Sequence, residues 1–390
     1  MGKQQKTNWV TLTFIFVSMI LAAITENTKG VFIPSFKECF HVGDTAIGSM
    51  LIITSGTYMI LTFFGGILCE KIGQKRVFTL GIITIITSLI ILSKANSFTM
   101  LLIGFGMSSS GLALSAIASN TIIPVIVFSA QTVIMNLLHF FYGFGSFVGQ
   151  GIFGRIIDMG IDWRNVYFVV AIIYVVFLAL FLFVKVPHPQ KAKESNEKEV
   201  HEKVSKKILI AYMLGLGFYV FAEQGTGNWF MNFMKSTYSF GDKQSSTYLS
   251  LFFAIFTIGR LLGGFVVSRK GYFNVLATSM FLGTILYFIG LFMGANGVVV
   301  ISMAGLFFSI TFPTVVLTVS KVFTKRSAYI TGTIVTAASF VGMILNWTMG
   351  FLNDKIGAKT AFLLVPTSSL ICCIFMIYLY FQTKDKLVSK

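Results

Sequence analysis

Two glutamates stand in stretches of sequence that are otherwise apolar. Glu26 lies in "ITENTKG" (24–30), directly after the uncharged run 9–23, and Glu223 lies in "FAEQGTG" (221–227). A charge in a membrane-spanning helix costs at least about 2.5–3.5 kcal/mol, so it is usually kept for a function. A partly desolvated carboxyl can bind and release a proton near neutral pH. Both side chains are therefore candidates for handling protons or substrate, and a structural buried pair is the alternative.

Two basic residues also lie inside apolar runs. Lys29 follows Glu26 by three residues, so it can pair with that carboxylate one turn away or extend to the outer membrane interface. Arg260 lies about eight residues, or roughly 12 Å, inside the nearer end of its span. That depth predicts an acidic partner, with Glu223 and Glu26 as the two candidates. A structural ion pair and a contact with substrate both remain open.

Polar and aromatic residues extend the candidate site. Asn136 and His139 are three residues apart, so one helix face presents both to a polar ligand; a packed histidine is the alternative. Asn346 is a weaker candidate, because interhelical hydrogen bonding is the default for such residues. The predicted proton and substrate cavity contains Glu26, Lys29, Asn136, His139, Glu223, Gln224, Trp229, Arg260 and Asn346.

The composition requires a membrane environment for these residues. The chain has 390 residues, of which 55% are hydrophobic and 11% charged, whereas soluble proteins carry about 25% charged residues. Continuous apolar runs of about 20 residues predict helices that cross the bilayer. Twelve spans are predicted at residues 9–33, 45–68, 77–95, 98–125, 130–157, 163–185, 208–234, 245–268, 275–294, 297–320, 328–352 and 360–382. We expect a multi-pass protein of the plasma or inner membrane; a secretory signal in the first span is the minor alternative.

The basic residues orient the spans. Twenty Lys and Arg residues fall on the side of both termini and eight on the other side. The positive-inside rule therefore predicts cytoplasmic termini. The formal net charge of +16 follows from this topology and from attraction to anionic membrane lipids, so nucleic-acid binding is not indicated.

The chain also repeats itself. A charged linker, residues 187–207, separates six spans in 1–186 from six in 208–390. "ITENTKG" recurs as "FAEQGTG" 197 residues later, "GGILCEKIGQKR" (65–76) as "GGFVVSRKGYF" (263–273), and the spacing of Gly154 and Asp158 as that of Gly350 and Asp354. Parallel repeats of this kind are typical of transporters that bind substrate near the membrane midplane and expose it to each side in turn. Glu26 and Glu223 would then face a central cavity.

"GGILCEKIGQKR" resembles the motif between spans two and three of the major facilitator superfamily. The matching residues are Gly66, Glu70, Lys71, Gly73, Lys75 and Arg76. The resemblance implies twelve transmembrane helices in two pseudo-symmetric six-helix halves. It also implies a gating motif, in which Gly66 permits close helix approach and the charges hold one half to the other. Ordinary flanking charge is the alternative interpretation.

Within that superfamily the chain resembles the fucose–galactose–glucose:proton symporters, especially the glucose/mannose branch. The resemblance rests on "NLLHFFYGFGSFVGQ" (136–150), "YVFAEQGTGNW" (219–229), "SLFFAIFTIGRLLGGFVVSRK" (250–270) and "TFPTVVLTVS" (311–320). Gly30 stands where the fucose branch has an aspartate, and the glutamate of span four is missing, so substrate details cannot be transferred from that branch.

Catalytic and metal chemistry are not indicated. The four cysteines and four histidines show no metal-ligand spacing, and no nucleotide-binding or hydrolase motif is present. We predict a transporter and not an enzyme, with no cofactor, that functions as a monomer and imports a small polar solute, first of all a sugar, with protons. A proton-driven efflux antiporter for hydrophobic compounds is the alternative.

Overall fold

The fold is all-helical over the part of the chain that the structure describes, which is residues 8–126, 131–184, 186, 205–323 and 327–388 of a computed structural model. The helices are α1 (Trp9–Phe40), α2 (Asp44–Ile72), α3 (Gln74–Ser93), α4 (Phe98–Ile126), α5 (Gln131–Asp158), α6 (Trp163–Leu182), α7 (Lys206–Tyr238), α8 (Asp242–Lys270), α9 (Tyr272–Phe292), α10 (Val298–Met303), α11 (Gly305–Phe308), α12 (Thr311–Val322), α13 (Ser327–Ile356), α14 (Ala358–Ala361) and α15 (Leu364–Val388), with a 3₁₀ turn at Gly294–Gly297.

The predicted spans coincide with these helices. Eleven helical segments of the described residues are long and apolar enough to cross a membrane. The remaining predicted span is α5, a 28-residue helix that contains Asn136 and His139. The tenth span is not one regular helix, because it is divided into the 3₁₀ turn, α10, α11 and α12. The predicted all-α membrane architecture is confirmed. Most of the predicted linker, 187–204, lies outside the described residues.

The repeated loop sequences adopt the same backbone. Gly73 precedes α3 with φ 89° and ψ 149°, and Gly271 precedes α9 with φ 84° and ψ 150°. Positive φ values are strained for residues that carry a Cβ, so glycine permits the abrupt turn from one helix into the next. The sequence repeat is therefore also a repeat of local structure.

The described residues divide into two compact units. The first comprises the described residues within Met1–Thr28, Ile53–Gly149 and Met159–Lys198, and the second comprises those within Lys29–Ile52, Gln150–Asp158 and Glu199–Lys390. The end of α1, the start of α2 and the end of α5 thus belong to the unit that contains α7 to α15.

Close helix contacts and aromatic rings hold the first unit together. Gly81 of α3 and Gly111 of α4 pack with the backbone of each against the other, because a Cβ on either would lie 2.6–2.8 Å from the partner's carbonyl oxygen. Phe78 of α3 packs on Phe181 of α6, with ring centroids 4.6 Å apart. Small residues at helix contacts are the expected packing solution in a membrane, where lipid is as apolar as a leucine side chain.

In the second unit, α7 packs against α13 and α15, and at one point its backbone also lies close to α1. A Cβ on Gly30 would collide with the carbonyl oxygen of Gly227. These two glycines occupy equivalent positions in the repeated sequence "ITENTKG" and "FAEQGTG", so the repeated segments meet at their matching residues. The contact also explains Gly30 itself, because the backbone of α7 leaves no room there for an aspartate side chain.

The Gly30 contact predicts a measurable cost of adding one methyl group. Gly30→Ala should lower the melting temperature of the purified protein in detergent, since overpacking a tight contact costs about 1–3 kcal/mol. Gly332→Ala is the matched control, because nothing among the described residues lies within 4 Å of a Cβ at Gly332. Equal melting temperatures for the two variants would contradict the α1–α7 contact.

Candidate functional site

An ion pair between α7 and α8 forms the centre of the candidate site. The Arg260 Nη2 atom lies 3.8 Å from Glu223 Oε1, with side chains 18% and 22% exposed. The guanidinium carbon lies 4.5 Å from the centre of the Phe256 ring, so cation–π attraction helps to hold it. The structure thus selects Glu223 from the two acidic partners predicted for Arg260.

A broken helix supplies a backbone acceptor to the same arginine. Arg260 Nε donates to the carbonyl oxygen of Ser309 at 3.4 Å. In a regular helix this carbonyl would accept from the backbone N–H four residues later, but that residue is Pro313, which has no N–H. The proline in "TFPTVVLTVS" therefore leaves an acceptor available between α11 and α12.

Tyr219 is the third member of the cluster. It precedes Glu223 by four residues on α7, so both side chains lie on one helix face. Its buried hydroxyl donates to the carbonyl oxygen of Phe308 at 2.8 Å, and the Glu223 carboxylate acts on it electrostatically. A phenol has a single proton. When Phe308 accepts that proton, the Tyr219 oxygen can still accept a hydrogen bond, and a protonated Glu223 could donate it.

Glu26 lies in a separate polar environment within the first unit. Its side chain is half-buried and acts electrostatically on Tyr58 and Tyr167. Next to it on α1, the Asn27 amide donates to Ser146 Oγ at 2.9 Å. Lys29 is only 8% exposed, so its ammonium group does not extend out to the protein surface as the snorkelling alternative would require.

The other predicted cavity residues fall into different environments. Asn228, which the sequence reasoning missed, donates from its amide to Asn346 Oδ1 at 3.1 Å, and Asn346 is buried. Trp229 is buried, with its ring 3.1 Å from the Cβ position of Gly350, so it packs against α13. Gln224 and His139 are exposed. The side chain of Asn136 lies outside the described residues.

The motif residues lie around the α2–α3 turn of the first unit. Lys75 donates to the carbonyl oxygens of Leu182 at 2.9 Å and Val184 at 2.7 Å, which caps the end of α6. Glu70, Lys71 and Arg76 are exposed. Gly73 provides the turn into α3, as described above.

The close helix approach expected at Gly66 is found one residue earlier. A Cβ on Gly65 would lie 2.8 Å from Ile117 Cγ2, whereas among the described residues nothing lies within 4 Å of a Cβ on Gly66. That expectation was wrong for this structure, because Gly65 and not Gly66 is on the face of α2 that contacts α4.

The signals for the missed residues are partly present in the sequence. Tyr219 is the first residue of the segment "YVFAEQGTGNW" that carries part of the family resemblance, and Pro313 marks the broken span. The carbonyl oxygens of Phe308 and Ser309 have no side-chain signature, so only the structure assigns them. Among the described residues, no group of three or more His, Cys, Asp or Glu could hold a metal ion.

Comparison with known proteins identifies the family. The family model of the Major Facilitator Superfamily matches residues 15–346. A cis,cis-muconate transport protein of Acinetobacter baylyi is 25% identical over 305 residues, which is 72% of each chain. The L-fucose-proton symporter of Escherichia coli is 21% identical and covers 94% of this chain and 91% of its own. A Helicobacter pylori protein whose name refers to glucose and galactose transport is 22% identical over 98% of both chains.

Solved structures show the same fold. A D-xylose-proton symporter superposes with a TM-score of 0.77 at 13% identity and covers 94% of this chain and 96% of its own. The predicted fold class, resemblance and transporter assignment are confirmed, and the relatives are membrane transporters and not enzymes.

The ion pair makes the stability of the site depend on both partners. Arg260→Met should lower the melting temperature in detergent, because it leaves the Glu223 carboxylate without its counter-charge. Removing one partner of a fully buried pair costs about 3–5 kcal/mol, and the partial exposure of this pair reduces that cost. The double variant Glu223→Gln/Arg260→Met should recover most of the loss. The exposed Arg155→Met serves as control, and additive effects of the two site substitutions would contradict the pairing.

Proposed function

The chain belongs to the Major Facilitator Superfamily of membrane transporters, and from that premise we propose that it imports a small polar solute, first of all a sugar, together with protons. The observation that carries the proposal is the cluster of Glu223, Arg260 and Tyr219 around the break between α11 and α12. This cluster offers Glu223 two different partners, and which partner it takes depends on its protonation.

The ionised and the protonated forms of Glu223 prefer different partners. The ionised Glu223 carboxylate is stabilised by the positive charge of Arg260. The protonated carboxylic acid loses that attraction. It can instead donate a hydrogen bond to the oxygen of Tyr219, because the hydroxyl of Tyr219 itself donates to the carbonyl oxygen of Phe308. Protonation therefore releases Arg260 from the ion pair. A freed guanidinium with several N–H donors can then bind the oxygen atoms of a solute.

The neighbouring amides suit a solute with many hydroxyl groups. Asn228 lies on α7 beyond Glu223 and bonds Asn346 of α13. Amides can donate and accept hydrogen bonds, as sugar hydroxyls require. The relatives named for fucose, glucose and galactose support this substrate class. During import the solute and the proton occupy the site together, and both are then released into the cell.

An organic anion is the second candidate solute. Arg260 can bind a carboxylate through two parallel hydrogen bonds, and one relative is named for transport of the dicarboxylate muconate. The same protonation step would release Arg260 for either solute. No contact of the described residues favours the alternative of drug efflux.

The remaining parts of the proposal concern topology and conformational change. We infer that residues 1–186 and 208–390 form two halves, whose movement opens a central cavity to one side of the membrane and then to the other. Both Glu26 and Glu223 would face this cavity. Both termini and the linker 187–207 are then cytoplasmic, as the distribution of basic residues indicates. The motif residues Gly66, Glu70, Lys71, Gly73, Lys75 and Arg76 would control the exchange between states. The protein would work as a monomer among membrane lipids without a cofactor.

Transport by Glu223→Gln tests the coupling. Glutamine keeps the size and hydrogen bonding of the side chain but cannot ionise, so the variant should lose accumulation driven by a pH gradient. It should keep exchange of labelled for unlabelled solute, because exchange moves no net proton. The assay uses proteoliposomes and a panel of labelled sugars, nucleosides and dicarboxylates.

The exposed Glu38→Gln is the matched control and should behave as wild type. Undiminished pH-driven uptake by Glu223→Gln would remove Glu223 from the coupling step. Resistance of producing cells to lipophilic cations, abolished when the proton gradient is collapsed, would favour efflux over import.

The native cysteines test the orientation. Cys39 at the end of α1 is exposed, whereas Cys69, Cys372 and Cys373 are buried. With cytoplasmic termini, Cys39 lies outside the cell, so a membrane-impermeant maleimide added to intact cells should label the wild type and leave Cys39→Ser unlabelled. Labelling that requires permeabilised cells would reverse the proposed orientation.

A further inference from the structure

An aspartate at the end of α13 caps the start of α2. Asp354 Oδ1 accepts from the backbone N–H of Asp44 at 2.8 Å. Asp354 Oδ2 accepts from the backbone N–H of Thr45 at 2.7 Å and from Thr45 Oγ1 at 2.6 Å. A helix start has unsatisfied N–H groups and a partial positive charge, so a carboxylate is a favourable partner. The capping residue comes from a helix more than 300 positions away in sequence. We call this contact the α13–α2 cap.

Small residues bring the two helices close enough for the cap. A Cβ on Gly350 would collide with the carbonyl oxygen of Asp44, and a Cβ on Gly48 would lie 3.1 Å from the Cα atom of Trp347. One turn after Gly350, Asp354 then reaches the first N–H groups of α2. The cap and the glycine contacts form one continuous interface at this end of the second unit.

The repeated sequence builds a second, looser version. Asp158 at the end of α5 stands 196 positions before Asp354 and faces the start of α8. The backbone N–H of Lys243 donates to Asp158 Oδ1, but at 3.4 Å. Gly154, the counterpart of Gly350, packs on Ser246 of α8. We call this contact the α5–α8 cap; a cavity of about 430 Å³ lined by Asp158, Lys243 and Tyr248, among others, lies beside it.

A lysine braces each capped helix. Lys37 pairs with Asp44 at 2.7 Å and Lys235 with Asp242 at 2.6 Å, and the second pair stands 198 positions after the first. Each lysine lies in the last turn of one helix and each aspartate is the first residue of the next, so the whole arrangement of brace and cap occurs twice.

The two versions also differ at a neighbouring residue of α7. Asn232 of α7 accepts from Lys37 Nζ at 3.2 Å and donates to Asp44 Oδ2 at 3.3 Å. The position 198 residues earlier is Pro34, whose side chain has no donor or acceptor. The α2 side therefore gains two polar contacts that the repeat cannot reproduce on the α8 side.

We propose that Asp354 is a positioning residue of the transport cycle, and that the α13–α2 cap is the principal contact that closes this end of the protein. Both caps must break for solute to enter from this side, and Asp354 contributes more than Asp158 because it makes three short hydrogen bonds where Asp158 makes one long one. The inference rests on the proposed alternation of two halves, since a cap that never opens would have no influence on transport.

Hydrogen–deuterium exchange of the purified full-length protein in lipid nanodiscs tests this without a solute. Asp354→Asn removes the charge but keeps the side-chain size. Because hydrogen bonds to charged groups are the strong ones, exchange at the start of α2 should rise by roughly tenfold or more. Exchange at the start of α8 should rise with it, because one opening motion breaks both caps. Asp158→Asn should change either segment less than about threefold.

A second pair of variants keeps the test decisive if Asp354→Asn does not fold. Thr45→Val removes only the hydroxyl contact to Asp354 and should raise exchange at both helix starts by a few fold. Thr247→Val is its control, since that hydroxyl bonds the carbonyl of its own helix at Lys243.

Two results would overturn the proposal. The first is faster exchange confined to the start of α2, which is what a purely local cap would give. The second is an equal effect of Asp158→Asn and Asp354→Asn. Neither result depends on the solute or on proton coupling. The proposed function could therefore fail while the role of the cap is confirmed, and the role of the cap could fail while the proposed function is confirmed.

Discussion

The cost of placing charged and polar groups in a bilayer constrains this structure more than any other single factor. Glu223 and Arg260 can remain in membrane-spanning helices because each has the other's charge as a partner and Arg260 also bonds the carbonyl oxygen of Ser309. Pro313 makes that carbonyl available by leaving it without a donor within the helix. Irregular backbone at membrane depth is tolerated where other groups satisfy it, and here it is satisfied by the site itself.

The same constraint shapes the helix contacts. Without a hydrophobic force between helices in lipid, association depends on close packing and on interhelical hydrogen bonds. Glycines supply the closeness at Gly30 and Gly227, at Gly81 and Gly111, and at Gly350. The polar contacts then gather where the backbone approaches, as in the bonds from α2 to Asp354. The internal repeat places related contacts twice, and small sequence differences, such as Pro34 against Asn232, make the two copies unequal.

Much of the fold was predictable because each membrane-spanning helix corresponds to a continuous run of apolar residues in the sequence. Eleven predicted spans are sufficiently apolar helices, and the turn glycines Gly73 and Gly271 follow from a repeated motif. The internal division of the tenth span was not predicted, since Pro313 alone does not tell where a helix will break.

The candidate site was predictable in its residue types and less so in its contacts. Depth in the membrane implied an acidic partner for Arg260, but the sequence could not choose between Glu223 and Glu26. Main-chain acceptors carry no side-chain signal, so the roles of Phe308 and Ser309 required coordinates. Neighbouring glycines look equivalent in sequence, and which one contacts another helix depends on how the helix that carries them is rotated about its axis. In α2, Gly65 and not Gly66 contacts Ile117. Asp354 was noted only as part of a repeat, because its partners are backbone N–H groups.

The central claim is that Glu223 changes partner when it binds a proton. Infrared difference spectroscopy of the purified protein between acidic and alkaline pH measures this directly through the C=O stretch of protonated carboxyl groups. The account predicts a carboxylic-acid band that is absent from Glu223→Gln. The band should be shifted in Tyr219→Phe, because that variant lacks the phenol oxygen that accepts a hydrogen bond from the protonated acid. A spectrum of Glu223→Gln that keeps the full wild-type band would contradict the account, since another group would then be the one that binds the proton.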